Sequence, residues 1–307
     1  MEIKLNNFPQ VKVGNYTDKT AGTGCTVALF DKPLAGSVSV MGGGPGSREL
    51  ALLEPTTRMD QINAVLLTGG SAFGLSAADG VMQYLEENNI GFDTGIAKVP
   101  IVPAGVIFDL NYKHKGIRPS SNEGYYACSN ADNKFTIGAK GVGTGATCGK
   151  LLGMDKASKS GLGYAESNSN EIKVSALTVC NAVGNIVNPA NGEIIAGIKG
   201  ESGYISYQDI LENEIMDLFG TNTTLGVVIT NVKLSKAMLK KVAEMSHDGL
   251  ARTVNPVHTM YDGDMIFVFT TNQVEADINK TGVLAAKAVS DSILNGIEAV
   301  KNEKEGE

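Results

Sequence analysis

Histidine is scarce in this chain: His114, His247 and His258 are the only ones among 307 residues. The commonest general base is therefore in short supply, and any acid–base chemistry must draw on other groups. No histidine sits at ligand spacing from another, and Cys25, Cys128, Cys148 and Cys180 are widely scattered with no CxxC pair. Neither a metal site nor a cofactor is expected, and the thiols are expected to be free and buried. Long apolar runs are missing too. No stretch approaches the roughly 20 apolar residues of a membrane span. The opening MEIKLNNFPQVKVGNYTDKT has no apolar core of signal-peptide length. Dense Lys/Arg clusters are absent and the net charge is -7, which argues against a phosphate-backbone partner. The expectation is a cytoplasmic protein with no nucleic-acid and no membrane partner.

What is present is an ordinary globular composition, 42% hydrophobic and 19% charged, with enough chain to bury a large core. Apolar runs rich in β-branched or aromatic residues predict strands at Cys25 to Phe30, Gly36 to Val40, Val99 to Ile107, Val174 to Val179, Leu225 to Thr230 and Met265 to Thr270. Helical spacing appears from Ser76 to Asn88, from Ser235 to His247 behind a Ser N-cap, and from Lys280 to Val300, followed by a tail, Lys301 to Glu307, expected to fray. Strands interleaved with long helices predict a layered α+β domain.

Glycine is abundant, with 37 residues concentrated at Gly42 to Gly46, Gly69-Gly70 and Gly138 to Gly149. The last cluster contains Gly141-Val142-Gly143-Thr144-Gly145-Ala146, which fits the loose dinucleotide pattern GxGxxA. That pattern needs a strand before it, and Asn133 to Ile137 is a poor central strand. A Walker loop ending at Gly149-Lys150 is excluded, because Thr144 stands where it needs Gly and Leu151 where it needs Ser or Thr. The glycines serve tight turns, or bring backbone N–H groups of Gly143, Thr144 and Gly145 close to a substrate oxyanion.

Two polar knots lead into apolar strands. In Gly220-Thr221-Asn222-Thr223-Thr224-Leu225, the plain reading is a loop entering a buried strand. The chemical reading is that Thr223 becomes the first residue of a chain. Its α-amine, with an ordinary pKa of about 7.7–8.0, then serves as the base for its own hydroxyl, and no histidine is needed. That requires a break between Asn222 and Thr223. The second knot, Asp262-Gly263-Asp264, reads either as an acidic turn or as a pair of carboxylates sharing a strand face, able to orient the Thr223 hydroxyl and hold its ammonium form. An EF-hand loop is excluded by the missing ligands.

Six segments in order resemble the DmpA/β-peptidyl aminopeptidase family, which includes the nylon-oligomer hydrolases: GGGPGSREL, LLTGGSAFGLSAADGVMQYLEE, VPIVPAGVIFDL, GVGTGATCGK, ALTVCNAVGNIVNP and DGLARTVNPVHTMYDGD. The resemblance covers nearly the whole chain. It implies a four-layer αββα sandwich of the DmpA/ornithine acetyltransferase type. It also implies one domain, 1–307, that cuts itself into 1–222 and 223–307, and a homo-oligomer, often a tetramer. By motif, Thr223 takes the nucleophile position, Asn222 the residue before the cut, and Asp262 and Asp264 the acidic pair of the nylon-hydrolase branch. Asn181 falls on an Asn able to donate to the oxyanion, and Lys150 on a Lys beside the nucleophile. Phe108 stands where relatives carry an oxyanion Tyr, and Phe cannot donate a hydrogen bond. The implied activity is that of an N-terminal-threonine amidohydrolase or aminopeptidase acting on peptides, amides or esters through an acyl-enzyme. Two rivals are an acyltransferase of the ornithine acetyltransferase type and a binding protein that never matures.

Overall fold

The computed structural model describes residues 1–211 and 222–305. Gly220, Thr221 and the last two residues of the tail lie outside them. The elements that build the site are, in chain order, β1 (Val11–Asp18), β2 (Thr23–Val40), β3 (Ile62–Thr68), α1 (Ala77–Glu87), β4 (Ala104–Val106), α2 (Ser121–Ser129), β5 (Leu162–Ser169), β6 (Ile172–Asn181), β7 (Thr223–Val232), α3 (Lys236–Thr253), β8 (Met265–Val274) and α4 (Ile278–Glu305).

β2 organises the sheets. Its first half pairs with β1 on one edge and β3 on the other, and its second half, Ala35 to Val40, pairs with β8. The strand order β5-β6-β7-β8-β2-β3-β4 therefore runs through one strand shared by two layers. The runs Cys25 to Phe30 and Gly36 to Val40, expected as separate strands, are the two ends of β2. Of the run Val99 to Ile107 only short pieces pair, because Pro100 and Pro103 carry no N–H for a ladder.

The alternation of side chains defines four layers. On β7, Leu225, Val227 and Ile229 face the core between the sheets, while Val228 and Val232 face α3 and α4. On β8, Phe267 and Phe269 turn to the inter-sheet core and Ile266 and Val268 to the helices. On β3, Val65 and Leu67 enter the inter-sheet core and Ala64 and Leu66 meet α1 and α2. Because successive strand residues point to opposite faces, this pattern requires helices outside both sheets. The result is an αββα sandwich, with α3 and α4 on one side and α1 and α2 on the other.

α3 begins where the Ser235 side chain accepts from the Met238 amide at 3.3 Å, as a Ser N-cap should. α4 continues through Lys301 to Glu305, where fraying was expected; the Lys and Glu residues there are good helix formers. Gly141–Thr144 forms a single 3-10 turn with no α-helix behind it, which removes the dinucleotide reading. All four cysteines are free and buried. Among the described residues, no helix is long and apolar enough to cross a membrane.

Candidate active site

The strand pairing brings the sequence-predicted residues to one end of the sheet. Asn181, the last residue of β6, stands opposite Thr223, the first of β7. β7 and β8 run parallel in register, Leu225 opposite Met265, so Asp264 sits beside the start of β7. Asn222 and Asp262 meet in a single parallel bridge just before those strands begin. Asn181, Asn222, Thr223, Asp262 and Asp264 are all buried.

In the unbroken chain the Thr223 hydroxyl donates to the Asn222 carbonyl oxygen at 2.5 Å. The same oxygen accepts the Gly263 amide at 2.9 Å. A Cβ on Gly263 would lie 2.7 Å from Thr223 Oγ1, so this close approach requires glycine. Gly42 and Gly44 close the turn from above, their amides reaching the carbonyl oxygens of Asp264 and Asp262 at 3.3 and 2.9 Å.

The acidic pair does not share a strand face. Both residues precede β8 in an irregular turn, and the two carboxylates do different things. Asp262 accepts from the Thr259 hydroxyl at 2.6 Å, the Thr259 amide at 3.1 Å and the Val183 amide at 3.4 Å. Asp264 accepts from the Thr224 amide at 2.6 Å, and from the amide and Nδ1 of His258 at 3.1 and 2.8 Å. Burial, and then the neighbouring charge of Asp264, push the Asp262 pKa up. Among the described residues, neither carboxylate touches the Thr223 hydroxyl in the uncut chain.

Asn181 is oriented from three sides. Its Oδ1 accepts from Lys150 Nζ at 2.8 Å and from the Thr147 amide at 3.1 Å, so Nδ2 is the end that donates. One Nδ2–H goes to the Phe108 carbonyl at 2.9 Å. Phe108 thus meets the site through its backbone, and no tyrosine hydroxyl is needed for that contact. Lys150 also donates to the Asn181 carbonyl at 2.9 Å. Its full burial outweighs the pull of nearby Cys148 and Asp262 and brings its pKa down to about 7.

The glycine turn contributes less than the sequence suggested. The Gly143 amide donates to the Lys140 carbonyl at 2.8 Å and the Gly145 amide turns back to Gly143, so both are spent inside the turn. Thr144 donates to the Gly141 carbonyl and lines a surface cleft of about 170 Å³ with Tyr112 and Lys159. A neighbouring cleft of about 410 Å³ shares Tyr112 and Lys159 and includes Thr147, the residue whose amide holds Asn181.

Several contributors escape a reading by residue spacing. Gly263 is legible only as the residue between two acids. His247 and His258, unpaired in sequence, meet edge to face with ring centroids 4.7 Å apart and planes 72° from parallel. Asp109 is buried beside the site; it accepts from the Gly70 amide at 2.7 Å and the Thr23 hydroxyl at 2.6 Å, and burial raises its pKa. Its signal was a lone acid ending the apolar run VPIVPAGVIFDL.

Two solved structures share this layered arrangement. An L-aminopeptidase D-Ala-esterase/amidase from Ochrobactrum anthropi, described as a variant of the Ntn-hydrolase fold, superposes with a TM-score of 0.72 at 14% identity, covering 96% of this chain and 86% of that one. A Burkholderia sp. beta-aminopeptidase gives 0.69 at 18% identity, with the same coverage of 96% and 86%. In sequence, an uncharacterized aminopeptidase of Mycobacterium tuberculosis is 38% identical across 94% of this chain and 87% of its own length. A 6-aminohexanoate-oligomer endohydrolase of Kocuria sp. is 27% identical across 94% of this chain and 84% of its own. The structural likenesses give the chain an Ntn-hydrolase fold, and the sequence relatives and the family make it a hydrolase of peptide or amide bonds. The family model for peptidase family S58 matches residues 4–304, and the chain belongs to that family.

Proposed function

We propose that the protein cuts itself between Asn222 and Thr223 and then hydrolyses amides with Thr223 as its N-terminal nucleophile. The observation that carries this reading is the contact of the Thr223 hydroxyl with the Asn222 carbonyl, whose oxygen already accepts the Gly263 amide. The hydroxyl is thereby held beside the peptide group that it would attack in an N-to-O acyl shift. Oγ1 bonds to the Asn222 carbonyl carbon, and Gly263 donates to the oxyanion. The bond to the Thr223 nitrogen breaks, and the hydroxyl proton passes to that nitrogen. Water then opens the ester, leaving the Asn222 carboxylate and a free amine on Thr223.

In the mature enzyme the freed amine takes the hydroxyl proton as Oγ1 attacks a substrate carbonyl. The second Nδ2–H of Asn181 stabilises the oxyanion, with Lys150 fixing the amide. The departing amine takes the proton, and water hydrolyses the acyl-enzyme. Asp262 and Asp264 form the acidic wall that holds the ammonium form of the Thr223 amine, and a substrate amine there would make the enzyme an aminopeptidase. The names of the relatives favour short peptides or linear amide oligomers as substrates, and the resemblance favours a homo-oligomer.

Intact-mass measurement of the purified protein tests the cut directly. The expected products are pieces of roughly 23 and roughly 9 kDa from the 32.1 kDa chain, in proportion to length, with Thr223→Ala remaining whole. An uncut chain after long incubation sinks the reading. Turnover of an aminoacyl p-nitroanilide panel, with and without an added amine acceptor, then separates hydrolysis from acyl transfer.

A further inference from the structure

Lys159 is drawn into the glycine turn, and the proposed mechanism gives it no task. It sits on a short antiparallel ladder in which Thr147 stands opposite Lys159 and Cys148 opposite Ser158. Its side chain reaches back to the turn. There Nζ donates to the carbonyls of Gly143 at 2.7 Å, of Ala146 at 2.8 Å, and of Ser160. The same ammonium lies 5.5 Å from the centroid of the Tyr112 ring, within cation–π reach. A lysine at a cleft wall ordinarily keeps its head in water. Here three backbone carbonyls stand where that water would be.

The Ala146 carbonyl is the informative partner. It also accepts the Ser160 amide at 3.0 Å, so both of its lone pairs are used. The other end of the same peptide unit is the Thr147 N–H, which donates to Asn181 Oδ1 at 3.1 Å. A peptide group is conjugated, so drawing electron density onto its oxygen makes its N–H a stronger donor. The side-chain amide of Asn181 is conjugated in the same way, and a stronger donor at Oδ1 strengthens Nδ2–H. The hydrogen bonds therefore point in one direction. They begin at the Lys159 ammonium, pass through the Ala146–Thr147 peptide to Asn181 Oδ1, and leave the chain at Nδ2.

We infer that Lys159 is a positioning residue for Asn181: through the Ala146–Thr147 peptide it fixes the side-chain amide with Nδ2 outward and polarises it toward an oxyanion. The role rests on the reading of Asn181 as the oxyanion donor to a substrate on Thr223. It gives the glycine turn a part in catalysis that its amides do not play. The turn supplies carbonyls that seat a cation, and it acts on the oxyanion at second hand.

Two measurements test it. The first compares amide proton shifts, by nitrogen-15 NMR, in full-length Thr223→Ala with and without Lys159→Met, and needs no catalysis. Methionine keeps an unbranched stem and removes the charge and the donors. The Thr147 amide proton and the Asn181 Nδ2 protons are expected to move upfield together, as donors do when their hydrogen bonds weaken. If either stays where it is in the parent, the inference is overturned. The second measurement is steady-state turnover of one anilide substrate, counted per cut molecule. Lys159→Met is expected to lower kcat about tenfold, a part of the 10²–10³-fold that a whole oxyanion donor supplies, and to leave KM within about twofold. In an Asn181→Ala background the same change is expected to cost less than about twofold, because the chain no longer has an end. A tenfold loss in both backgrounds, or in neither, also overturns the inference. Where Lys159→Met does not fold or cut, Lys159→Gln, which keeps an N–H donor without the charge, carries both arms with the same directions. A wild type that neither cuts nor turns over the anilide sinks the proposed function, and the NMR comparison still decides whether Lys159 polarises Asn181.

Discussion

The backbone amide of Gly263 donates to the carbonyl oxygen of Asn222 at 2.9 Å, and a side chain on Gly263 would run into Thr223 Oγ1. One residue thus supplies a donor to the carbonyl and makes room for the hydroxyl beside it. Gly263→Ala keeps the amide donor but sets a Cβ 2.7 Å from Thr223 Oγ1, and is expected to slow self-cleavage about 10²-fold, the cost of displacing a reacting group by about 1 Å. Gel densitometry over time checks it, and cutting at the wild-type rate would remove Gly263 from the mechanism.

Asn181 is held by Lys150 and Thr147 with its Nδ2 turned toward Phe108. Asn181→Ala is expected to lower kcat about 10²–10³-fold with little change in KM, because the donated bond strengthens only as charge develops. Steady-state kinetics on one anilide substrate separates the two parameters.

Phe108 contributes its carbonyl to this site. Phe108→Leu is therefore expected to leave the self-cleavage rate within about threefold of wild type, in keeping with the ~0.5 kcal/mol of a substitution away from special contacts. A loss as large as that of Asn181→Ala would mean that the ring takes part.

Lys150 carries a folded-state pKa of about 7 against an ordinary 10.5. Between those values the unfolded chain binds the extra proton, so stability rises with pH across that window and is lowest, for this group, below about 7. Comparing denaturant midpoints of Thr223→Ala with and without Lys150→Met should show a difference that moves in favour of lysine by up to about 1.4 kcal/mol per pH unit in that window. A pH-independent difference would mean that Lys150 keeps its charge throughout.

The sheet strands and the three long helices were legible because their apolar residues repeat with the period of the element. The sharing of β2 between two layers was not, since Asp31-Lys32-Pro33 reads as a break and nothing local says that both sides continue one strand. α2 escaped for the opposite reason: SNEGYYACS has little apolar periodicity, although the capping box of Ser120 and Glu123 announces its start. Thr223 and the acidic pair stood out as polar residues at segment edges, while Asn181 came only from the family resemblance. Which groups they touch depends on the register of β6, β7 and β8, which residue spacing does not encode. The same limit hid the histidine pair, with one ring on a helix and the other in a loop.

The strand order has a mechanical consequence for a cut at Asn222. β7 and β8 would both belong to the later piece, yet β7 is laced to β6 and β8 to β2, so that piece is wedged into the middle of the sheet like a keystone. Breaking one peptide bond would free the new amine without loosening the arch. The pieces are expected to travel together through purification and to part only when the whole fold melts. The earlier piece made alone would present two raw strand edges to its neighbours and aggregate.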